Sequence, residues 1–445
     1  MSSLLLSLYS GLMRLAQPLL RRKMAKRAEQ EPGYAEAVDE RFGRYTQPRE
    51  TAPSLVWLHA VSLGETRTAA VLITSLRARY PGLRVLLTHG TATGRAEGRA
   101  LLQPGDIQVW QPWDTSAVVE KFFAHFKPRL GLLIETEVWP CMVAGATAQG
   151  VPLVLVNGRL SEKSLQQALR MSPLAYPAYG ALTAVYAQTA VDATRYRQLG
   201  VDVAGVLGSI KFDAMPDPSL MALGQAWKAA RQASIAQASQ QPVVMLASSR
   251  QGEEALFLEQ IKAVAQQIRA RAAINSVAPK WLIVPRHPQR FDEVAALVVQ
   301  HGLTLSRRSS WQCSPADSAD AMQADVWLGD SLGEMALYYS LADVALLGGS
   351  FEKLGGQNLI EGTAAGCPII IGPHPFNFAE AARLAVDAGA ALSCADMSTA
   401  IDAALNLVFD RPMQMQASKA ARAFASIHQG ATDRTVQALA AHLET

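Results

Sequence analysis

The sequence is poor in cysteine, in aromatic residues and in any excess of charge. Its 445 residues include four cysteines (Cys141, Cys313, Cys367 and Cys394), far apart and without a CxxC pair. That spacing argues against a disulfide framework or a cysteine zinc site and reads as small buried apolar side chains in a reducing compartment. Lys and Arg total 41 against 38 Asp and Glu, so no general attraction to nucleic acid is expected. Aromatics make up 7% and charged residues 18%, while hydrophobic residues reach 49%. Such a chain is neither disordered, nor fibrous, nor polytopic in a membrane. No G-x-G-x-x-G and no G-x-x-x-x-G-K-[ST] occurs, which removes the dinucleotide and P-loop signatures. With no HExxH and no compact acidic triplet, no metal site is expected. Nor is a serine-hydrolase elbow with its triad expected.

The N-terminus departs from this even composition. Residues 1–27 carry six basic side chains (Arg14, Arg21, Arg22, Lys23, Lys26 and Arg27) and no acidic one. The stretch Leu4–Leu20 is apolar but broken by Arg14, Gln17 and Pro18, short of the roughly 20 apolar residues of a spanning helix. A signal peptide would carry its charge first and a small-residue cleavage site after, and neither is there. The pattern best fits an amphipathic helix lying on an anionic lipid surface. A helix docked on the protein itself, or a single span, are the alternatives.

What the chain has in quantity is alternation. Apolar runs that read as buried parallel strands recur at 55–61, 84–89, 130–135 and 152–158, with helical patterns at Thr66–Tyr80, Ser116–Phe126 and Val138–Gln149 between them. An Ala/Gln-rich stretch at 215–242 reads as a linker carrying a helix. The alternation then restarts at 242–248, 280–286, 325–330, 343–350 and 367–372, and Ala-rich helices close the chain. The expectation is an α/β protein of two Rossmann-like, doubly wound domains with ligands in the cleft between them, at the carboxyl ends of the strands. The expected boundaries are an N-terminal lead-in at 1–50, a first domain at 51–214, a linker at 215–241 and a second domain at 242–445.

Several strand endings carry unusual residues. In HAVSLGE (59–65), Ser62 and Gly64 form a tight strand-to-helix turn that leaves Glu65 in the first turn of a helix. The helix dipole is expected to keep that carboxylate ionised, as a general base requires, although a plain N-terminal helix carboxylate reads the same way. His59 reads as a core histidine. In ETEVWP, Glu135 and Glu137 follow a fully apolar run, where two carboxylates are costly to bury without a task or a partner; Arg129 or Arg159 are the expected partners if they are merely structural. NGRLSEKS (157–164) and GSIKFD (208–213) add Asn157, Arg159, Ser161 and Lys211 as candidate lining of the same pocket. In the second half, VPRHP puts Arg286 and His287 at a strand end, where a planar guanidinium suits phosphate. GDSLGE (329–334) and GGSFEKLGGQNLIEG (348–362) have the glycine turn and helix opening that accept an anion, with Asn358 and Glu361 at the second opening.

HAVSLGE, ETEVWP, NGRLSEKS, GSIKFD, VPRHPQRF, LGDSLGEMALYYSLADVALLGGSF and GGQNLIEG with GPHPFNF, in that order, closely resemble the bacterial 3-deoxy-D-manno-octulosonic acid (Kdo) transferases. The resemblance implies a GT-B fold, CMP-Kdo as donor and a lipid A precursor (lipid IVA) as acceptor at the cytoplasmic face of the inner membrane, in lipopolysaccharide biosynthesis. It further implies no cofactor. It places the catalytic base on Glu65, with Glu135 and Lys211 supporting the transition state. CMP contacts would fall on Pro285, Arg286, Leu332, Gly333, Glu334, Asn358, Leu359, Ile360 and Glu361, with Gly356 and Gln357 beside them. Gln357 stands where the family often has histidine, Gly362 where it often has proline, and Gly158 where alanine is common. Another inverting transferase of the same fold, or a non-catalytic binding protein that has kept it, are the rival readings.

Overall fold

The computed structural model describes residues 3–234, 241–264, 279–311 and 314–444; Cys313 and part of the expected 215–241 linker lie outside them. The chain divides into two compact units, Met1–Ala214 with His428–Thr445, and Met215–Ile427.

In the first unit seven parallel strands form one sheet: β1 (Leu55–His59), β2 (Arg84–His89), β3 (Ile107–Trp110), β4 (Leu130–Ile134), β5 (Leu153–Gly158), β6 (Ala184–Ala187) and β7 (Gly205–Val206). Their order is β3-β2-β1-β4-β5-β6-β7. The central strands are continuous apolar runs because helices cover both faces. Trp57 is wholly buried against Phe122 and Phe123 on one face, while Val56 and Leu58 pack with Leu72, Leu76 and Leu439 on the other. Four of the turns that leave these strands end in a Ser or Thr whose side chain caps the next helix: Ser62, Thr91, Ser161 and Thr189, each cap contributing about 1 kcal/mol. Helix Pro140–Ala148 lacks such a cap of its own. The buried Asp114 carboxylate, from the β3 side, accepts from Cys141 N at 3.2 Å and Met142 N at 2.8 Å instead.

The second unit repeats the design with β8 (Val243–Ser249), β9 (Lys280–Pro285), β10 (Leu305–Arg307), β11 (Val326–Leu328), β12 (Val344–Leu347), β13 (Ile369–Ile371) and β14 (Ala391–Ser393), all parallel in the order β10-β11-β9-β8-β12-β13-β14. In each sheet the chain reverses its winding once. Those reversals lie between β1 and β4 in the first sheet and between β8 and β12 in the second. The crevice outside the strand ends at such a point is where open α/β sheets bind ligands.

The observed units differ from the expected boundaries in three places. Residues 1–50 are no separate segment: Glu40 is buried and bonds Arg95 Nη1 at 2.6 Å and the Trp110 amide at 2.9 Å. Helix Pro218–Ser234 is no linker but part of the second unit, with Trp227 edge-on to Trp311 and Lys228 paired with Asp343 at 2.6 Å. The last helix, Ala431–Leu443, belongs to the first unit. Its Val436, Leu439 and Leu443 fill the core, and Asp213 caps its start through Gly430 N and Thr432 Oγ1 at 2.6 and 2.7 Å.

The N-terminal stretch folds as α1 (Ser3–Leu15) and α2 (Gln17–Ala28), with Pro18 in the first turn of the second helix. Leu6 and Tyr9 of α1 pack on the first unit, and Trp113 Nε1 donates to the Met13 carbonyl. The opposite face exposes Leu4, Leu8, Leu12 and Leu15 around a shallow groove. Among the described residues, no helix is long and apolar enough to cross a membrane.

Candidate active site

The reversal in the first sheet carries a dense set of charged groups. Ser62 accepts from Glu65 N at 3.3 Å and donates to Glu65 Oε1 at 2.9 Å, while Glu65 Oε2 takes the Val61 amide at 2.7 Å. This is close to a reciprocal capping arrangement. The Val61 carbonyl is held in turn by the Gly90 and Thr91 amides at 3.0 Å each. Gly90 gives Val61 room, because a Cβ there would stand 2.4 Å from Val61 Cγ1. The sequence reading passed over this second turn, HGTAT, whose signal was the Gly-Thr pair directly after a strand.

Glu65 is 9% exposed. Burial pushes its carboxyl up to about 7, and the nearby Glu135 and Glu137 charges add to that, against the Val61 and Ser62 hydrogen bonds. The expectation that the helix dipole alone keeps Glu65 ionised is therefore corrected: desolvation outweighs it. The group is poised near neutrality.

Glu135 directly follows β4 and adopts a left-handed backbone, φ 67°, and Asn157 near the end of β5 does the same at φ 53°. Such conformations cost on the order of 1 kcal/mol or more for residues other than glycine, and gather at functional sites. The turn throws the Glu135 carboxylate onto Lys211 Nζ at 2.7 Å. Asn157 ties the cluster together, with Nδ2 at 3.5 Å from Glu135 Oε1 and Oδ1 accepting the Ile210 amide at 3.0 Å. The ion pair is thus with Lys211 rather than the expected Arg129, whose guanidinium donates to the Leu443 carbonyl. Arg159 meets Glu135 through its backbone amide, at 3.2 Å. Glu137 lies beyond the turn and accepts Trp139 Nε1 at 2.8 Å; burial raises its carboxyl too. Ser161 is exposed and caps its helix through Ser164 N. His59 is a core residue as expected, fully buried with Nδ1 2.7 Å from Thr88 Oγ1, and burial lowers its ring to about 3.

The second sheet's reversal is built from backbone. Glu253, wholly buried, accepts from Arg250 N and Gly349 N through Oε2 at 2.9 and 2.7 Å, and from Phe351 N through Oε1 at 3.0 Å. It thereby fixes the Gly348–Phe351 turn, in which Gly349 needs φ 73°. Sequence reading missed this glutamate, since nothing near it in the chain marks its partners about 100 residues away. Pro285 ends β9, and the Arg286 amide donates to the Ser249 carbonyl at 3.0 Å. His287 is exposed; what burial it has, with the charges of Arg250, Arg286 and Arg290, lowers its ring, so the neighbourhood is cationic. The helix after Asn358 runs only from Ile360 to Ala364, and Asn358 Oδ1 accepts the Ile360 amide at 3.0 Å. Leu359 and Ile360 are core residues, so a ligand would meet their backbone and not their side chains. Glu361 and Gln357 are half-buried, and the buried Gly356 donates its amide to the Gly349 carbonyl at 2.7 Å.

Leu332 is 72% exposed and Gly333 has φ 79°. Glu334 pairs with Arg308 at 2.9 Å and contacts the Ser331 hydroxyl. Residues 329–333 do spell the G-x-S-x-G of a nucleophile elbow. The Ser331 hydroxyl, however, is engaged by Glu334 and Tyr338, and no histidine is among its described partners.

Residues 36–214 match the family described as 3-deoxy-D-manno-octulosonic-acid transferase (kdotransferase). The 3-deoxy-D-manno-octulosonic acid transferase of Bordetella pertussis is 47% identical over 440 residues, spanning 97% of this chain and 98% of that one. That of Haemophilus influenzae is 28% identical, spanning 98% of both. Among solved structures, the UDP-GlcNAc 2-epimerase of Neisseria meningitidis bound to UDP-GlcNAc aligns with a TM-score of 0.54 at 13% identity, over 86% of this chain and 99% of that one. MurG of Acinetobacter baumannii aligns at 0.51 and 15%, over 86% and 98%. These two likenesses speak to the fold alone, which is GT-B, as the order of motifs led one to expect. With a relative this similar along nearly its whole length, the chain belongs to the 3-deoxy-D-manno-octulosonic acid transferases and is a glycosyltransferase.

Proposed function

We propose that this transferase moves Kdo from CMP-Kdo to a lipid A precursor, lipid IVA, in lipopolysaccharide biosynthesis, with inversion at the sugar and Glu65 as general base. The observation that carries the reading is the Glu65 carboxyl, held by Val61 N and Ser62 Oγ and lifted by burial to about 7. A base whose value lies near the working pH combines the correct protonation state with enough driving force. The acceptor hydroxyl attacks the anomeric carbon, its proton passes to Glu65, and the bond to the CMP phosphate oxygen breaks with its electron pair leaving on CMP. Lys211, fixed by Glu135, puts positive charge beside the reacting groups.

In the second unit, Arg286 takes the phosphate, Pro285 and the Leu332–Glu334 turn frame the nucleotide, and the Gly356–Glu361 segment meets it through backbone amides and the Glu361 carboxylate. A nucleoside monophosphate leaves readily enough that the chemistry asks for no metal. The exposed leucines of α1 and the basic residues of α2 would rest on anionic lipid at the cytoplasmic face of the inner membrane, where a lipid acceptor resides. Purified protein given CMP-Kdo and tetraacylated lipid A precursor, with and without EDTA, tests this: the lipid should gain the mass of Kdo in both. No gain in mass, from protein that still binds CMP, would remove this acceptor.

A further inference from the structure

The second unit has a cavity that none of this chemistry uses. It holds about 710 Å³ and lies between helix Pro218–Ser234 and helix Arg411–His428. Its floor is the Ala342–Asp343 and Ala365–Gly366 turns, which enter β12 and β13. The glycine turn at Gly348 follows β12, so the cavity opens at the other end of that strand, roughly 13 Å of chain away.

Gln225, Lys228 and Gln232 line one wall, at helical spacing, and Arg411, Ser418 and Arg422 line the other. Lys228 is already neutralised by Asp343, whose second oxygen takes the Val243 amide at 2.8 Å. Asp343 is the one carboxylate among the lining residues, so the surplus charge is positive. Lys419 and Arg422 have no ion-pair partner among the described residues, and Arg422 lays its guanidinium over the Gly366 backbone.

We propose that this cavity is a second anion site, distinct from the sugar-nucleotide site, that takes a small soluble phosphate-bearing molecule. Arg422 and Lys419 would hold its phosphate oxygens at the rim, where a planar guanidinium gives paired bonds. The volume falls in the range of small-molecule pockets.

Inorganic pyrophosphate is the probe, titrated calorimetrically into the full chain and into two variants: Lys419→Gln with Arg422→Gln, and Arg286→Gln. Arg286→Gln removes any pyrophosphate binding at the nucleotide site, and the binding left in it should be that of the cavity. The double variant should bind it more weakly at the cavity, by roughly tenfold for each cation removed. Lys419 and Arg422 lie on the surface, so an unchanged melting temperature is expected and separates lost binding from lost fold. Equal binding by wild type and the double variant, or binding lost only in Arg286→Gln, overturns the proposal, as does a wild type that binds no pyrophosphate at millimolar concentration. None of these outcomes depends on whether the sugar donor or acceptor has been assigned correctly.

Discussion

The two sheets reverse at equivalent places and furnish those places differently. At the first reversal the polar atoms are side chains: Glu65, Glu135, Glu137 and Lys211 on turns, two of whose residues are left-handed. At the second they are mostly amides of glycine turns, and a fully buried carboxylate, Glu253, looks inward to hold them. Groups that must change charge during a reaction need side chains whose pKa can be set by burial and neighbours. Groups that only grip a ligand need fixed dipoles, which backbone supplies without rotamer entropy. Substitutions at the first reversal should therefore lower turnover, and those at the second should chiefly weaken binding.

The sharpest test is Glu65→Gln, which keeps the shape and removes the proposed base. The expected outcome is a fall in kcat of about 10²–10⁴-fold with the fold intact. In the unaltered enzyme, kcat/KM should climb about tenfold per pH unit below neutrality and level off above about 7, where Glu65 becomes ionised. Stability should move the other way. The folded-state value lies above the 4.5 of an open carboxyl, so the fold favours the neutral acid. That contribution, on the order of 3 kcal/mol, is full below about 4.5 and lost as pH rises through about 7. Glu65→Gln should flatten this slope in urea titrations; a slope and a rate profile both unchanged would dismiss the group.

Next in size is the Glu135–Lys211 pair. Their side chains are 10% and 27% exposed, so removing one partner strands a half-buried charge. Lys211→Met should cost roughly 1–3 kcal/mol and about 10²-fold in kcat. Adding Glu135→Gln should restore much of the stability and none of the turnover. Recovery of both would mean that the pair is only structural, and the contrast between the two sheets would lose its main support.

What was legible beforehand follows from where the information sits. The long apolar strands and the residues that end them are local, so Glu65, Glu135, Lys211 and Arg286 stand out as candidates in the chain itself. Five strands were not picked out: IQVW, AVYA, GV, LSR and ALS are short or half-polar and give no clean periodicity. Asp213 could not be read as the cap of a helix more than 200 residues later, nor Glu253 as the anchor of Gly349, because such pairings exist only after the sheets close. A turn after β4 was conceivable from the chain, but its left-handed sense at Glu135 was hidden. It places that carboxylate on Lys211 and sends Glu137 to Trp139, where strand alternation would have put both on one face.

Glu253→Gln probes the second reversal. A side-chain amide cannot accept all three backbone N–H groups that the carboxylate holds, and its NH2 would face one of them. The cost should be about 1–3 kcal/mol, and, if backbone placement governs donor binding, KM for the donor should rise roughly tenfold while kcat changes little. A drop in kcat with KM unmoved would mean that the second reversal also acts in the chemical step.

The smallest effect expected is at Ser161, and it bears on how the first reversal is bounded. Sequence spacing put this hydroxyl in the pocket with Arg159. In the fold it is solvent-exposed and spends its oxygen on Ser164 N at 3.1 Å and the Ser164 hydroxyl at 2.8 Å. A cap of this kind contributes about 1 kcal/mol, lost in Ser161→Ala and readable as a lowered urea midpoint. Turnover should stay within about twofold, because the capped helix, Glu162–Arg170, starts beyond Asn157 and contributes none of the hydrogen bonds that hold Glu65, Glu135 or Lys211. If Ser161→Ala instead lowers kcat while stability is unchanged, the hydroxyl leaves its cap when substrate binds, and the reactive cluster extends one turn further along the chain than its resting hydrogen bonds indicate.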